Sequence, residues 1–245
     1  MSRVTIANSH LQMQAEMSFG AELSFYQGPS WQESKSVLDL GCGNGAYLKK
    51  LADHFSLKQF TGLDIDKEFH DSIALPSSSN LLVRTGAFES LESHFDVLHM
   101  RFVFMYLDDP KILMKWAQKN VRKSVFQIDP EDSKFVLEPD LPLFRKVFED
   151  METRVKRLGG TSRKVDESTI DNWCSHGFNL ESTDTVIITS EAPFSRKLMH
   201  LLMVLNAEVV LGRPLPNELY MELLNWYFSE GYVQYGVTRR LFSRA

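Results

Sequence analysis

The sequence predicts an α/β fold, a doubly wound sheet with helices on both faces, and three observations predict it. Residues 37 to 45, Val-Leu-Asp-Leu-Gly-Cys-Gly-Asn-Gly, read as a short buried strand running straight into a glycine loop, and Ala46 to Phe55 continue at helical spacing. Residues 59 to 66, Gln-Phe-Thr-Gly-Leu-Asp-Ile-Asp, read as a second strand ending in carboxylates, where a doubly wound sheet sets it beside the first. Further apolar runs at 81–84, 95–101 and 125–132 read as a third, fourth and fifth strand.

The loop carries the first chemical information. Gly41, Gly43 and Gly45 let the backbone turn sharply, and the helix N-terminus behind them favours anionic or acceptor-rich ligand groups. Gly41, Gly43 and Ala46 also satisfy the G-x-G-x-x-G/A pattern of dinucleotide-binding folds, so glycine spacing alone is ambiguous. Asp39 separates the two readings. A carboxylate two residues before the first glycine disfavours a pyrophosphate and suits a cationic group such as an ammonium. With that residue, Leu38-Asp39-Leu40-Gly41-Cys42-Gly43-Asn44-Gly45 resembles the first motif of class I S-adenosylmethionine-dependent methyltransferases. The resemblance covers residues 35 to 130 best. It implies a Rossmann-like, seven-stranded mixed sheet whose last strand is antiparallel, S-adenosylmethionine as cofactor, and in-line methyl transfer to an O, N or C nucleophile.

Composition narrows the partners. A chain of 245 residues can bury a large core, and 43% hydrophobic with 24% charged residues is ordinary for a globular enzyme. A net charge of −5 argues against general affinity for nucleic acid, which depends on clustered Lys and Arg. No signal peptide and no run of ~18 apolar residues is seen, and Cys42 and Cys174 lack CxxC or metal-ligand spacing. The expectation is a cytoplasmic protein with no metal, no membrane span and no nucleic-acid partner, its oligomeric state open.

In chain order, residues 1–30 mix Met13, Met17, Phe19, Leu23, Phe25 and Tyr26 at helical spacing and read as a helical lid ended by Gly28-Pro29; Tyr26, His10 and Gln14 are candidates to face the site. Asp64, ending the second strand, can accept hydrogen bonds from vicinal ribose hydroxyls, while Asp66 suits a helix N-cap; Ile65 joins Asp64 as a cofactor contact. Pro76 to Asn80 is a polar turn before the third strand. That strand leads to Ala87 and Phe88, where the resembled family commonly carries an acid for the adenine amino group, so backbone and the Phe88 ring are left to read the base. The fourth strand ends in His99, Met100 and Arg101. Met100 and Arg101 are assigned to the cofactor, with a salt bridge as the alternative for Arg101 and a satisfied core role for His99. Asp108-Asp109-Pro110 looks like the family's turn into the next helix.

Asp129, at the expected carboxyl end of the fifth strand, is the candidate to border the acceptor, with a simple Asp-Pro turn as the alternative. Leu141 to Leu158 reads as an amphipathic helix with a solvated charged face, ended by Gly159-Gly160. A helix from Asp166 or Ser168 to His176, an edge strand at 179–190, helices at 194–211 and 216–228, and a closing strand at 232–242 follow. The organisation expected is one domain over 1–245, with a lid (1–30), a core with helical additions (31–190), a helical insertion (191–230) and a closing strand (231–245). The Met, Leu and aromatic residues of the insertion, among them Leu198, Leu202, Met203, Leu219, Leu223 and Trp226, predict an apolar acceptor pocket and a small, partly hydrophobic substrate. The missing Asn/Asp-Pro-Pro-Tyr stretch argues against nucleic-acid bases as acceptors. No general base is identifiable; a dinucleotide-dependent oxidoreductase and a catalytically silent S-adenosylmethionine-binding protein are the alternatives.

Overall fold

The structure is a computed structural model that describes residues 3–71, 80–157, 163, 165 and 167–245. The turn expected within 76–79, the helix end at 158–160 and Asp166 lie outside the described residues.

Three helical pieces open the chain: α1 (Arg3–Glu22), a 3-10 turn (Leu23–Tyr26) and α2 (Pro29–Gln32). The alternating units follow as β1 (Ser36–Leu40), α3 (Ala46–His54), β2 (Gln59–Asp64), α4 (Lys67–Asp71), β3 (Leu81–Thr85), β4 (Phe95–Arg101), α5 (Pro110–Asn120) and β5 (Val121–Glu138). Then come α6 (Pro142–Arg157), α7 (Ser168–Ser175), β6 (Phe178–Thr189), α8 (Pro193–Leu211), α9 (Asn217–Phe228) and β7 (Tyr232–Arg244).

The seven strands make one sheet in the order β3-β2-β1-β4-β5-β7-β6. β1 to β5 run parallel, and β7 is antiparallel to both β5 and β6. Strand order reverses between β1 and β4, so the carboxyl ends of these two strands flank the crevice where such sheets bind ligands. The central strands are apolar on both faces because helices cover both: β4 is buried from Phe95 to Met100, and Val37, Leu38, Val125 and Phe126 are inaccessible.

Two features set the shape of the crevice. First, β5 is longer than its sequence suggests. The sequence places the strand at 125–132, with an Asp129-Pro130 turn as the alternative, yet the strand continues to Glu138 because β7 pairs with it from Ser124 to Glu138, with a register shift between Glu131 and Val136 absorbing the misfit. β5 and β7 therefore extend past the end of β4, whose pairing with β5 stops at Ile128. Second, α8 and α9 lie in sequence between β6 and β7, and α8 packs against α1, α6 and α9. The apolar stripe of α6 (Phe144, Val147, Met151, Val155) is buried, and Phe144 and Val147 share a core cluster with Met199 and Met203 of α8. Together α1, α6 and α8 close over the strand ends.

Candidate functional site

The loop after β1 is shaped by backbone geometry. Gly41, Gly43 and Gly45 all have positive φ, near 69°, 55° and 71°. A Cβ on Gly41 would stand 2.4 Å from a Val103 methyl, and one on Gly43 2.9 Å from a Leu11 methyl, so a side chain at either position is crowded as well as strained by the positive φ. Two anchors fix the loop. The Gly41 and Cys42 N–H groups donate to the Leu63 carbonyl, 2.7 and 3.2 Å, and the Asn44 amide donates to the Asn8 carbonyl of α1, 3.0 Å.

Asp64, the last residue of β2, accepts from the Gly43 N–H at 2.7 Å and from the Asp66 N–H at 2.9 Å. Burial nevertheless raises its pKa above the usual carboxylate range, with Asp66 and Asp39 adding to the rise against the two backbone donors. The carboxylate is thus short of donors, which is the property a ribose diol would satisfy. Beside it Ile65 is exposed over 79% of its surface, an apolar side chain that lines the crevice together with Ala87 and Phe88.

A buried chain of polar contacts runs from the loop to the lid. His99 Nδ1 donates to Asp39 at 2.7 Å, and the Tyr26 hydroxyl is shared between His99 Nε2 and the Tyr47 hydroxyl, 2.9 Å from each. Tyr47 in turn donates to Glu22, whose carboxylate is gripped by Arg101 through Nε at 3.1 Å and Nη2 at 3.2 Å. Arg101 also donates to Gln14 at 3.0 Å and Ser18 at 2.7 Å, and its plane lies over the rings of Tyr47 and Phe102. Glu22 is inaccessible, so this is a buried ion pair that latches α1 onto β4.

The glycine loop, Asp64 and, from the polar chain, Asp39, Tyr47, Gln14 and Arg101 border one cavity of about 1170 Å³. One half lies over the strand ends: Asp39, Gly41, Gly43, Asp64, Ile65, Ala87, Phe88 and Arg101 line it, together with Val103, Leu107 and Ile112. The other half is a chamber walled by Phe135 of β5, Phe144, Phe148 and Met151 of α6, Met199, Leu202 and Met203 of α8, and Val233 and Tyr235 of β7. His10 and Gln14 of α1 line the cavity as well. Burial, then Arg154 and Arg101, push the His10 pKa down to about 4.

Four sequence candidates lie elsewhere. Tyr26 is fully buried, its hydroxyl spent on His99 and Tyr47, because the 3-10 turn drives the ring between Trp31 and Phe126. Met100 points to the opposite face of β4 from Asp39's partner His99 and joins the core cluster under the sheet. Gly45 forms the left-handed N-cap of α3 and does not reach the cavity wall. Asp129 sits inside β5, not at its end, paired across from Thr238, and lines not the large cavity but a small one of about 180 Å³ that adjoins it through Pro130, Glu131, Asp132 and Arg163. Its carboxylate accepts from Gln127 at 2.7 Å and from Arg240 at 3.3 Å, and burial raises its pKa to about 6.

The chamber also differs from expectation. α8 supplies its wall, but no residue of α9 lines the cavity; Leu219, Leu223 and Trp226 are packed behind α8 and α6. The wall that the sequence reading missed is α6, whose stripe at 144, 148 and 151 was present in the periodicity but overshadowed by its charged residues. Tyr235 was missed too, since alternation in β7 does not reveal which face meets a cavity. Among the described residues there is no group of three or more His, Cys, Asp or Glu able to hold a metal, and no helix long and apolar enough to cross a membrane.

A strand-end glycine loop with a carboxylate at the next strand end, on a sheet of this order, is the arrangement of an S-adenosylmethionine-dependent transferase, and sequence comparison agrees. The family model described as a methyltransferase domain matches residues 12–182, and the chain belongs to that family. It is an enzyme, and S-adenosylmethionine is its cofactor. Among solved structures it is similar to a methyltransferase of Bacillus halodurans C-125 (12% identity, 90% of this chain and 96% of that one, TM-score 0.55). It is also similar to a cyclopropane synthase of Mycobacterium tuberculosis (14%, 86% and 78%, TM-score 0.55). A third is the magnesium protoporphyrin IX methyltransferase of Synechocystis PCC 6803, solved with S-adenosylhomocysteine bound (12%, 96% and 84%, TM-score 0.52). At these identities the likeness is one of fold. No curated protein matches the sequence.

Proposed function

We propose that this methyltransferase acts on a small organic molecule with a hydrophobic or aromatic part. The observation that carries the reading is the single cavity whose second half is walled by apolar residues of α6, α8 and the β5–β7 arms and roofed by α1. Such a chamber suits an acceptor that is swallowed whole rather than a loop of RNA or a protein tail laid across a surface.

The residues present fit the cofactor. Positive φ at Gly41 and Gly43 gives bare backbone at the loop, Asp64 is a buried acceptor in need of donors for the ribose, and Ile65 and Phe88 offer apolar faces for the adenine. Asp39, held by His99, is the carboxylate toward the amino group. Bound there, S-adenosylmethionine supplies a methyl group already activated by its sulfonium charge. The chain's own work is positioning: holding the acceptor in line, with α1 latched by Glu22–Arg101 to keep water out.

Incubation with methyl-labelled S-adenosylmethionine and either the low-molecular-weight or the macromolecular fraction of a cell extract tests the reading. Label is expected in small organic-soluble products. Label confined to RNA, DNA or protein would reject it, and no transfer to either fraction would indicate a silent binding protein.

A further inference from the structure

Where the two halves of the cavity meet, around Arg101, the wall is rich in hydrogen-bond donors. Tyr235 of β7 lines the cavity, and its hydroxyl is sealed from solvent and has no hydrogen-bond partner among the described residues. A buried polar group left unpaired costs about 1–3 kcal/mol, a penalty relieved when a ligand brings the partner. Gln14 commits its amide oxygen to Arg101 and keeps its N–H groups at the cavity wall. His10 is held neutral by burial and by Arg154 and Arg101, and so brings one ring N–H. Glu22, the one carboxylate against Arg101, is spent on Arg101 and Tyr47. The polar edge therefore offers donors next to Arg101, whose charge is paired with Glu22, and the same cavity is lined by the apolar side chains of Phe148, Met199 and Met203.

We propose that Tyr235, His10 and Gln14 form an oxyanion subsite, so that the methyl acceptor is an apolar molecule carrying a carboxylate or a phenolate. The proposal rests on the small-molecule reading above and narrows it. Burial pushes the Tyr235 pKa up, so its hydroxyl keeps its proton and donates. Donation to an anionic oxygen is stronger than to a neutral one. An acceptor that arrives ionised has no proton to lose, and the site needs no general base for it.

The test is binding without turnover, by calorimetry on the full chain saturated with S-adenosylhomocysteine. The probes are benzoate, 2-naphthoate and octanoate, each against the alcohol of matched skeleton, with 4-nitrophenol, whose absorption band marks its ionised form, for the phenolate. At least one acid is expected to bind about tenfold or more tighter than its alcohol, or nitrophenol to bind as the anion. Tyr235→Phe should remove about tenfold from that anion, leave the alcohol within about twofold, and melt no lower than wild type, since the hydroxyl holds nothing in the fold. His10→Gln, which keeps a neutral donor, should retain anion binding within about threefold, and His10→Leu should lose it as Tyr235→Phe does. No preference for the anion on any skeleton, or an equal loss for the alcohol, would overturn the proposal. The cofactor's own carboxylate is the competing occupant: if Tyr235→Phe weakens S-adenosylhomocysteine but not 5′-methylthioadenosine, and spares the acids, the subsite belongs to the cofactor and the proposal fails. Failure of the small-molecule reading shows separately, as label confined to RNA, DNA or protein by an enzyme whose anion preference is unaffected.

Discussion

The two halves of the cavity are built by different means. The strand-end half is made of loops whose shape follows from neighbouring residues: three positive-φ glycines, a carboxylate anchored to the loop one strand away, and seven acids along the wall (Asp39, Asp64, Asp66, Glu68, Glu89, Asp108, Asp109). The chamber half is made of side chains from elements far apart in sequence, α1, β5, α6, α8 and β7, with Arg154 and Arg163 set against Glu131, Asp132 and Glu208. A fixed ligand is served by backbone, a variable one by interchangeable side chains. Only α1 belongs to both.

That shared wall gives the largest expected effect. Glu22→Leu leaves Arg101 buried with its charge uncompensated, and breaking a buried pair in this way costs about 3–5 kcal/mol. Chemical denaturation should show that loss, together with weakened S-adenosylhomocysteine binding, because α1 also touches the glycine loop through Asn8 and Leu11. Adding Arg101→Met to the same chain should recover part of the stability. A stable Glu22→Leu protein with normal affinity would mean that α1 is not the common wall.

The next effect separates the halves. Asp64→Ala should cost about 1.5–3 kcal/mol in S-adenosylhomocysteine affinity, about ten- to a hundredfold, whereas Met203→Ala should leave it within about twofold. Calorimetric titration reads both. Comparable losses would show that the chamber and the strand ends cannot be treated as distinct sites.

The same division explains what could be read from the sequence. Asp39, Gly41, Gly43, Asp64, Ile65, Ala87 and Phe88 all reach the cavity because a strand end and the turn after it fix where the next few residues point. Sheet membership was legible for the same reason, since each parallel strand announces itself by an apolar run. Residues whose placement depends on distant partners were not. Tyr26 reads as a lid residue until Trp31, His99 and Phe126 claim it, and Asp129 reads as a strand end until β7 carries β5 onward to Glu138. The charges of α6 read as solvated, and Arg145, Lys146, Glu149, Asp150 and Lys156 are exposed, but Arg154 turns to the chamber and the apolar face of the helix is a cavity wall.

A weaker effect follows from the acidic lining. S-adenosylmethionine carries a sulfonium charge that S-adenosylhomocysteine lacks, so a wall of carboxylates should favour the former. Screening lengths fall from about 30 Å at 0.01 M salt to about 3 Å at 1 M, so raising salt across that range should weaken the methionine compound up to about tenfold more than the homocysteine compound. Equal salt dependence of the two dissociation constants would remove the field as a factor and leave the strand-end half resting on contacts alone.

Asp129 supplies the smallest effect and the sharpest check on where the acceptor half ends. Because it lines the small adjoining cavity and not the large one, Asp129→Asn should leave label transfer and S-adenosylhomocysteine affinity within about twofold, and its signature should be thermodynamic instead. A carboxyl whose folded-state pKa is about 6, above its unfolded value of about 4, holds its proton more tightly in the folded protein. Its contribution to stability is therefore full below about pH 4 and is lost as pH rises to about 6, beyond which it stays lost. Asparagine carries no charge and escapes that loss, although it gives up the charged partner of Arg240 and the acceptor of Gln127, so a net gain of about 1 kcal/mol at pH 8 is expected. His10, whose depressed pKa acts with the opposite sign below pH 6.5, is common to both proteins and cancels in the difference. Denaturant titrations of the two proteins at pH 4 and pH 8 should thus agree at the lower pH and diverge at the higher, in favour of the variant. A variant less stable at pH 8, or one that has lost transfer activity, would return Asp129 to the acceptor wall.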